Sequence, residues 1–247
     1  MSLDRPRLSI CRTRVAYLGP SLDLAPHRNA AATLALALGT RFRLRLGRAH
    51  ADANAPAKRI AMIPPGTWHH LVATGPMLFL YLDAQAADLA RLAAVDLDAM
   101  RDRLPEALSA VAASWQVDDV CSALGLPHPV PLEPRLADAL LRMDRDPEAF
   151  PSVDALASTL GLSRSRTQAL FTEAIGMPFR RYRLWRRMAR VMGRLQAGAS
   201  LTQAAMEAGF ASPSHLATAF RTQFGLAPST LLGRGLRIEW ADGAQPG

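Results

Sequence analysis

Ala204-Ala205-Met206-Glu207-Ala208-Gly209-Phe210-Ala211-Ser212, running into Pro213-Ser214-His215-Leu216 and on to Ala219-Phe220, decides how this chain is read. A small residue, a glycine four positions later and then an apolar residue are what a helix-turn-helix needs. The alanine lets two helices approach, the glycine takes the left-handed turn, and the apolar residue closes the core beneath it. The serine after the turn caps the second helix by accepting from its free amides. The same order occurs upstream, where Ala157, Gly161, Leu162 and Ser163 precede a run ending in Leu170-Phe171. One copy is weak evidence, since many helical hairpins share it; two copies joined by a helix are much stronger.

Working outward, helical periodicity covers 135–143, 153–160, 164–175, 179–196, 201–208 and 213–224, with Gly161, Gly176, Gly198, Gly209 and Gly225 at the stops. A helix over 179–196 would be roughly 27 Å long. With its turns it would set two reading helices about one DNA turn apart, roughly 34 Å. Between Gly161 and Arg234 stand eleven arginines against two acids, Glu173 and Glu207, a surplus of nine in a chain whose net charge is +8. Lys58 is the only lysine. Arginine's planar fork suits phosphate and guanine, and each phosphate contact releases counterions.

The stretch 204–210 together with Ser214-His215-Leu216, Phe220-Arg221, Phe224-Gly225 and Pro228 resembles the signature of the AraC/XylS-type transcription regulators, and the likeness runs from about Arg135 to Leu231. The resemblance implies that the second helix of each unit enters the major groove. It carries reading positions onto Ser165, Gln168 and Ala169 in the first unit and Ser214, His215, Ala217 and Thr218 in the second. The caps Ser163 and Ser212 and, from the arginine cluster, Arg164, Arg166, Arg186, Arg187 and Arg221 complete the candidate DNA-binding set. Gln168 has the amide geometry to pair with adenine. The chain departs from the family pattern at Thr167, where an aliphatic residue is usual, at Ala169, where a long polar reader is usual, and at Leu231-Leu232, where an aromatic-arginine pair is usual.

The alternate prolines Pro127, Pro129, Pro131 and Pro134 forbid a helix and read as a stiff linker. Before them, the short apolar or alternating runs 33–38, 42–46, 60–63 and 78–82 read as strands. From Ala84 to about Trp115 the period turns helical, and Leu97, Met100, Leu104 and Leu108 offer an apolar face for dimerisation or for packing on the strands. Ile63-Pro64-Pro65-Gly66-Thr67-Trp68-His69-His70 resembles the second motif of the cupin barrel, which implies a small-molecule sensing domain. His27, Trp68, His69 and His70 are the pocket candidates. The earlier cupin position reads Pro26-His27-Arg28-Asn29, one histidine where a metal site wants two, so no metal or other cofactor is expected.

The expected fold is α+β and multidomain. A cupin-like β-barrel with following helices occupies 1–126, a linker 127–134, an all-α domain of two helix-turn-helix units joined by a long helix 135–235, and a tail 236–247. Cys11 and Cys121 lack metal spacing and point to a reducing cytosol. No run is long and apolar enough for a membrane helix, and the first residues do not read as a signal peptide. The expectation is a cytoplasmic, sequence-specific regulator. It would bind double-stranded DNA and a small effector, with RNA polymerase and a second copy as further candidate partners. A metal-dependent cupin enzyme with a helical appendage is the alternative and needs a full ligand set. A general nucleic-acid compactor would show no sequence preference.

Overall fold

The computed structural model describes residues 5–11, 14–82, 97, 99, 100, 102, 103, 116–126 and 132–240. The first half holds two sheets. The larger has the order β6-β3-β8-β2-β1-β9, with β1 (Arg7–Ile10), β2 (Arg14–Gly19), β3 (Ala32–Ala37), β6 (Ile60–Ile63), β8 (Met77–Leu82) and β9 (Arg237–Trp240). The smaller is β5-β4-β7, from β4 (Phe42–Leu46), β5 (Ala57–Lys58) and β7 (His69–Val72).

Strand alternation explains how they pack. Ala35 and Phe79 of the large sheet share a core with Phe42, Leu44 and Leu71 of the small one, so the sheets close face to face as the walls of the barrel. The next residues along the same strands, Leu34, Leu36, Leu78 and Leu80, are fully buried on the opposite face. There they meet helix α1 (Val117–Ala123) through Val117, Val120 and Cys121. Leu97 and Met100, candidates for a dimer face, pack into this same core; Leu104 and Leu108 lie outside the described residues. So do Pro127, Pro129 and Pro131 of the linker.

The second half is helical: α2 (Pro134–Arg145), α3 (Val153–Leu160), α4 (Arg164–Ile175), α5 (Phe179–Gln196), α6 (Leu201–Glu207), α7 (Pro213–Phe224) and α8 (Pro228–Leu232). The expected caps at Ser163 and Ser212 are present, and two further serines cap helices as well. Ser152, Ser163, Ser200 and Ser212 each accept from a first-turn amide, and Ser200 forms a reciprocal capping box with Gln203. Gly161 ends α3 at φ 66° and Gly209 follows α6 at φ 79°, the left-handed turns the repeat requires. Leu156, Leu160, Phe171, Ile175 and Trp185 belong to the first unit's core, and Ala204, Ala205, Phe210, Leu216 and Phe220 to the second's.

The halves are not beads on a string. The second unit's core is continuous with the barrel core through Met188, Val191 and Met192 of α5. The segment 236–247, expected as a tail, also behaves otherwise in its described part. Arg237–Trp240 pair in parallel with β1, and Arg7 holds Glu239 at 2.7 Å. Ile238 buries an alternate-position side chain there, a two-residue period too short to stand out in the sequence. Gln196 at the end of α5 donates to the Ile238 carbonyl at 2.7 Å, so this strand ties α5 to the large sheet. Among the described residues, no helix is long and apolar enough to cross a membrane.

Candidate nucleic-acid interface

The second helix of each unit buries one stripe and exposes the other. In α4, Thr167, Phe171 and Ile175 face inward, while Ser165, Arg166, Gln168 and Ala169 are exposed. In α7, Leu216, Phe220 and Gln223 face inward; Ser214, His215, Thr218 and Arg221 are exposed and Ala217 is half-buried. Ser163 and Ser212 serve as caps, their side-chain oxygens occupied by the amides of Arg166 and His215 at 3.3 and 3.1 Å. Phe210 supports the His215 ring edge-on at 5.4 Å between centroids. Thr167 is fully buried with an unpartnered hydroxyl, so the departure from an aliphatic residue is a real mismatch with the core.

The arginine surplus is smaller in space than in sequence. Acids that precede Gly161 fold back onto it: Asp154 pairs with Arg164 at 2.7 Å, Asp144 with Arg186 at 2.8 Å, and Glu148 with Arg183 at 2.8 Å and with Arg187. Asp146 lies 3.9 Å from Arg190, and Glu207 pairs with Arg194. Arg186, expected at DNA, is only 5 % exposed and belongs to the interior. Arg187 is held by Glu148 with its guanidinium 6.0 Å from the Phe210 ring centre, bracing the second unit against the first. Partial burial pushes the Arg183 pKa down, against the pull of Glu148. Asp146 and Glu148 sit on the loop between α2 and α3, upstream of the arginine-rich stretch and close to it only in space.

What stays open is a groove of about 510 Å3 beside α4, lined by Ser152, Arg164, Gln168, Thr172, Arg180 and Arg183. With Arg166 and Arg221 exposed on the two reading helices, it forms a polar, basic face on the helical half.

The barrel grips the far end of α7. Ala25 donates to the Gly225 carbonyl at 2.8 Å and Arg28 to the Thr222 carbonyl at 3.0 Å. Gly225 has φ 74°, and a Cβ there would stand 2.6 Å from the Ala25 carbonyl oxygen and 2.7 Å from His27 Nδ1, so only glycine permits this seam. His27 lies directly beneath it. Its backbone bridges His69 in both directions, and the two rings sit 4.3 Å apart. Each Nδ1 donates to a carbonyl, Ala25 for His27 and Thr67 for His69, both at 2.9 Å. Burial, with His69 alongside, drives the His27 pKa down to about 3, and burial lowers that of His69 as well. The pair is therefore neutral. Among the described residues no group of three His, Cys, Asp or Glu is placed to hold a metal ion.

The four sequence candidates for a ligand pocket do not share one. His27 and His69 build the seam, His70 accepts from the Ala51 amide and meets the His50 ring, and Trp68 lies between Arg28 and Arg48. An apolar cavity of about 70 Å3 occurs instead between the halves, where Tyr17, Leu24 and Tyr81 of the barrel face Trp185, Met188, Met192 and Phe224. The signal for it in the sequence was Trp185, Met188 and Met192 at helical spacing on α5, which reads equally well as ordinary core.

A helix-turn-helix domain family model matches residues 156–234. No curated protein sequence matches the chain. Among solved structures, an apo variant of ToxT from Vibrio cholerae superposes with a TM-score of 0.55 at 11% identity, over 90% of this chain and 97% of that one. A second ToxT crystal structure from that organism gives 0.52 at 14%, over 90% and 96%. A third, bound to (E)-4-(8-methylnaphthalen-1-yl)but-3-enoic acid, gives 0.52 at 12%, over 94% and 99%. At these identities the likeness is one of fold.

Proposed function

We propose that residues 156–234, which match a helix-turn-helix domain family, are a DNA-binding domain of the AraC type and that the chain is a transcription regulator reading a two-part DNA site. The carrying observation is that α4 and α7 are equivalent second helices, each capped by a serine, each with an apolar stripe inward and a polar stripe toward solvent. Gln168, Arg166 and Ser165 are the readers of the first unit; Ser214, His215, Thr218 and Arg221 are those of the second. Reading helices meet base edges with their N-terminal turns. The barrel holds α7 by its C-terminal end and leaves that first turn open. Arg180 beside the open groove supplies phosphate contacts, and Arg186 none.

The effector site in this reading is the apolar cavity between the halves. Its walls come from both, so a ligand there changes how α5 sits on the barrel and with it the spacing of α4 and α7. A volume of about 70 Å3 holds only a few atoms, so binding requires the halves to part. The support from comparison is that a ToxT structure of this fold holds a naphthyl butenoic acid, a largely apolar acid.

The test is selection of random DNA duplexes by the purified full chain at near-physiological salt, followed by sequencing. An enriched motif of two boxes about one helical turn apart is expected. Salt-sensitive retention without any enriched motif would leave only electrostatic attraction and defeat the reading.

A further inference from the structure

A second opening lies between the halves, apart from the apolar cavity and opposite to it in chemistry. It has a volume of about 160 Å3, with Arg28, Asn29 and Gly66 on the barrel side and Arg181, Ala219 and Gln223 on the helical side. The Arg28 guanidinium lies 5.3 Å from the Trp68 ring centre. Contact with an aromatic face leaves the in-plane N–H donors of a guanidinium free. Arg181 rests on Gly66, which has φ 71°; a Cβ there would stand 2.5 Å from Arg181 Nη1, so the glycine makes the room.

Neither arginine has a carboxylate partner among the described residues. On the same helix Arg183, Arg186, Arg187, Arg190 and Arg194 all have one, and among the described residues Arg180 and Arg181 have none; of these two only Arg181 faces the barrel in this cleft. Asn29 is 3 % exposed. Its Nδ2 donates to Thr33 Oγ1 at 2.7 Å, while its Oδ1 is buried with no donor to accept from. Gln223, 5 % exposed, also lines the opening. Two half-buried guanidiniums and a buried carbonyl acceptor with no protein donor make a lining whose chemistry matches an anion that also carries a donor.

We propose that this cleft binds a compact hydroxydicarboxylate that bridges the two halves. One carboxylate is taken by Arg28, the other by Arg181, and the hydroxyl donates to Asn29 Oδ1. A cleft of about 160 Å3, open to solvent along one side, has room for a four-carbon acid. Because the Arg28 backbone amide also bonds the end of α7, an acid held by its guanidinium fastens the barrel to α5 and α7 together.

Isothermal titration calorimetry of the full chain with L-malate and with succinate tests this without DNA, so its outcome is independent of the regulator reading. Saturable binding of malate is expected, with succinate weaker by about tenfold because it leaves Asn29 unpaired. Arg28→Gln and Arg181→Gln, each checked for a wild-type circular dichroism spectrum, should each weaken malate by at least about tenfold. Equal binding of malate and succinate, equal competition by inorganic phosphate, malate binding untouched by both variants, or no saturable heat at millimolar malate would each overturn the proposal.

Discussion

Replacing Arg186 by methionine separates an interior arginine from a DNA-facing one. The side chain is 5 % exposed and lies 2.8 Å from an Asp144 carboxylate that is itself only 15 % exposed. Removing one member of such a pair leaves the other charge buried and uncompensated, which costs about 3 kcal/mol. For a chain of this size that is roughly 6–12 °C in Tm. Arg186→Met should therefore unfold at distinctly lower urea, and Arg186→Met with Asp144→Leu should regain most of the loss. At a temperature where it remains folded, Arg186→Met should bind a duplex with an unchanged dependence of log K on log salt. Arg180→Gln, at an exposed arginine beside the open groove, should do the reverse, with stability within about 0.5 kcal/mol of wild type and a salt slope smaller by about 0.9, one phosphate contact. Fluorescence anisotropy over a KCl series reads the slope and urea melts read the stability. A stable Arg186→Met whose salt slope drops would refute the assignment of that arginine to the interior.

Thr167→Val should stabilise the first unit by about 1 kcal/mol in urea melts, because it removes a fully buried hydroxyl that has no partner. Gly161→Ala and Gly209→Ala each force a side chain into a left-handed turn at about 1 kcal/mol, but only at Gly209 does the new Cβ crowd Glu148 Oε1, at 2.9 Å. Gly209→Ala should thus be the costlier in urea melts, and the difference should vanish in a Glu148→Ala background. His27 and His69 are neutral when folded and titrate near 6.5 when unfolded, so below that pH the unfolded chain takes up protons that the native chain refuses. Stability should fall with pH from 6.5 downward by up to about 1.4 kcal/mol per unit for each ring, and His27→Gln should make the decline shallower.

The helical half was readable because its signals are local. Periodicity, serine caps and turn glycines all lie within a few residues of the bonds they make, and α3, α4, α5 and α7 fall at the expected positions. Strands β3, β4, β6 and β8 are short apolar or alternating runs, whereas β1, β2 and β7 mix in arginine, glycine or histidine and carry no such run. The site was legible only on its exposed faces. Which arginines are spent on Asp144, Glu148 and Asp154, and which residues enclose the space between the halves, depends on contacts distant in the chain that no spacing encodes.

The parallel pairing of β9 with β1 sets an order of events during synthesis. Arg7 to Ile10 are made before the whole helical half and Arg237 to Trp240 after it. Until the whole helical half has left the ribosome, one edge of β1 carries unpaired amides and carbonyls, the kind of edge to which other strands add. Domains made first usually fold first. Here the large sheet cannot be completed that way, and a nascent chain stalled before Arg237 would expose its barrel to aggregation while its two reading units were already formed.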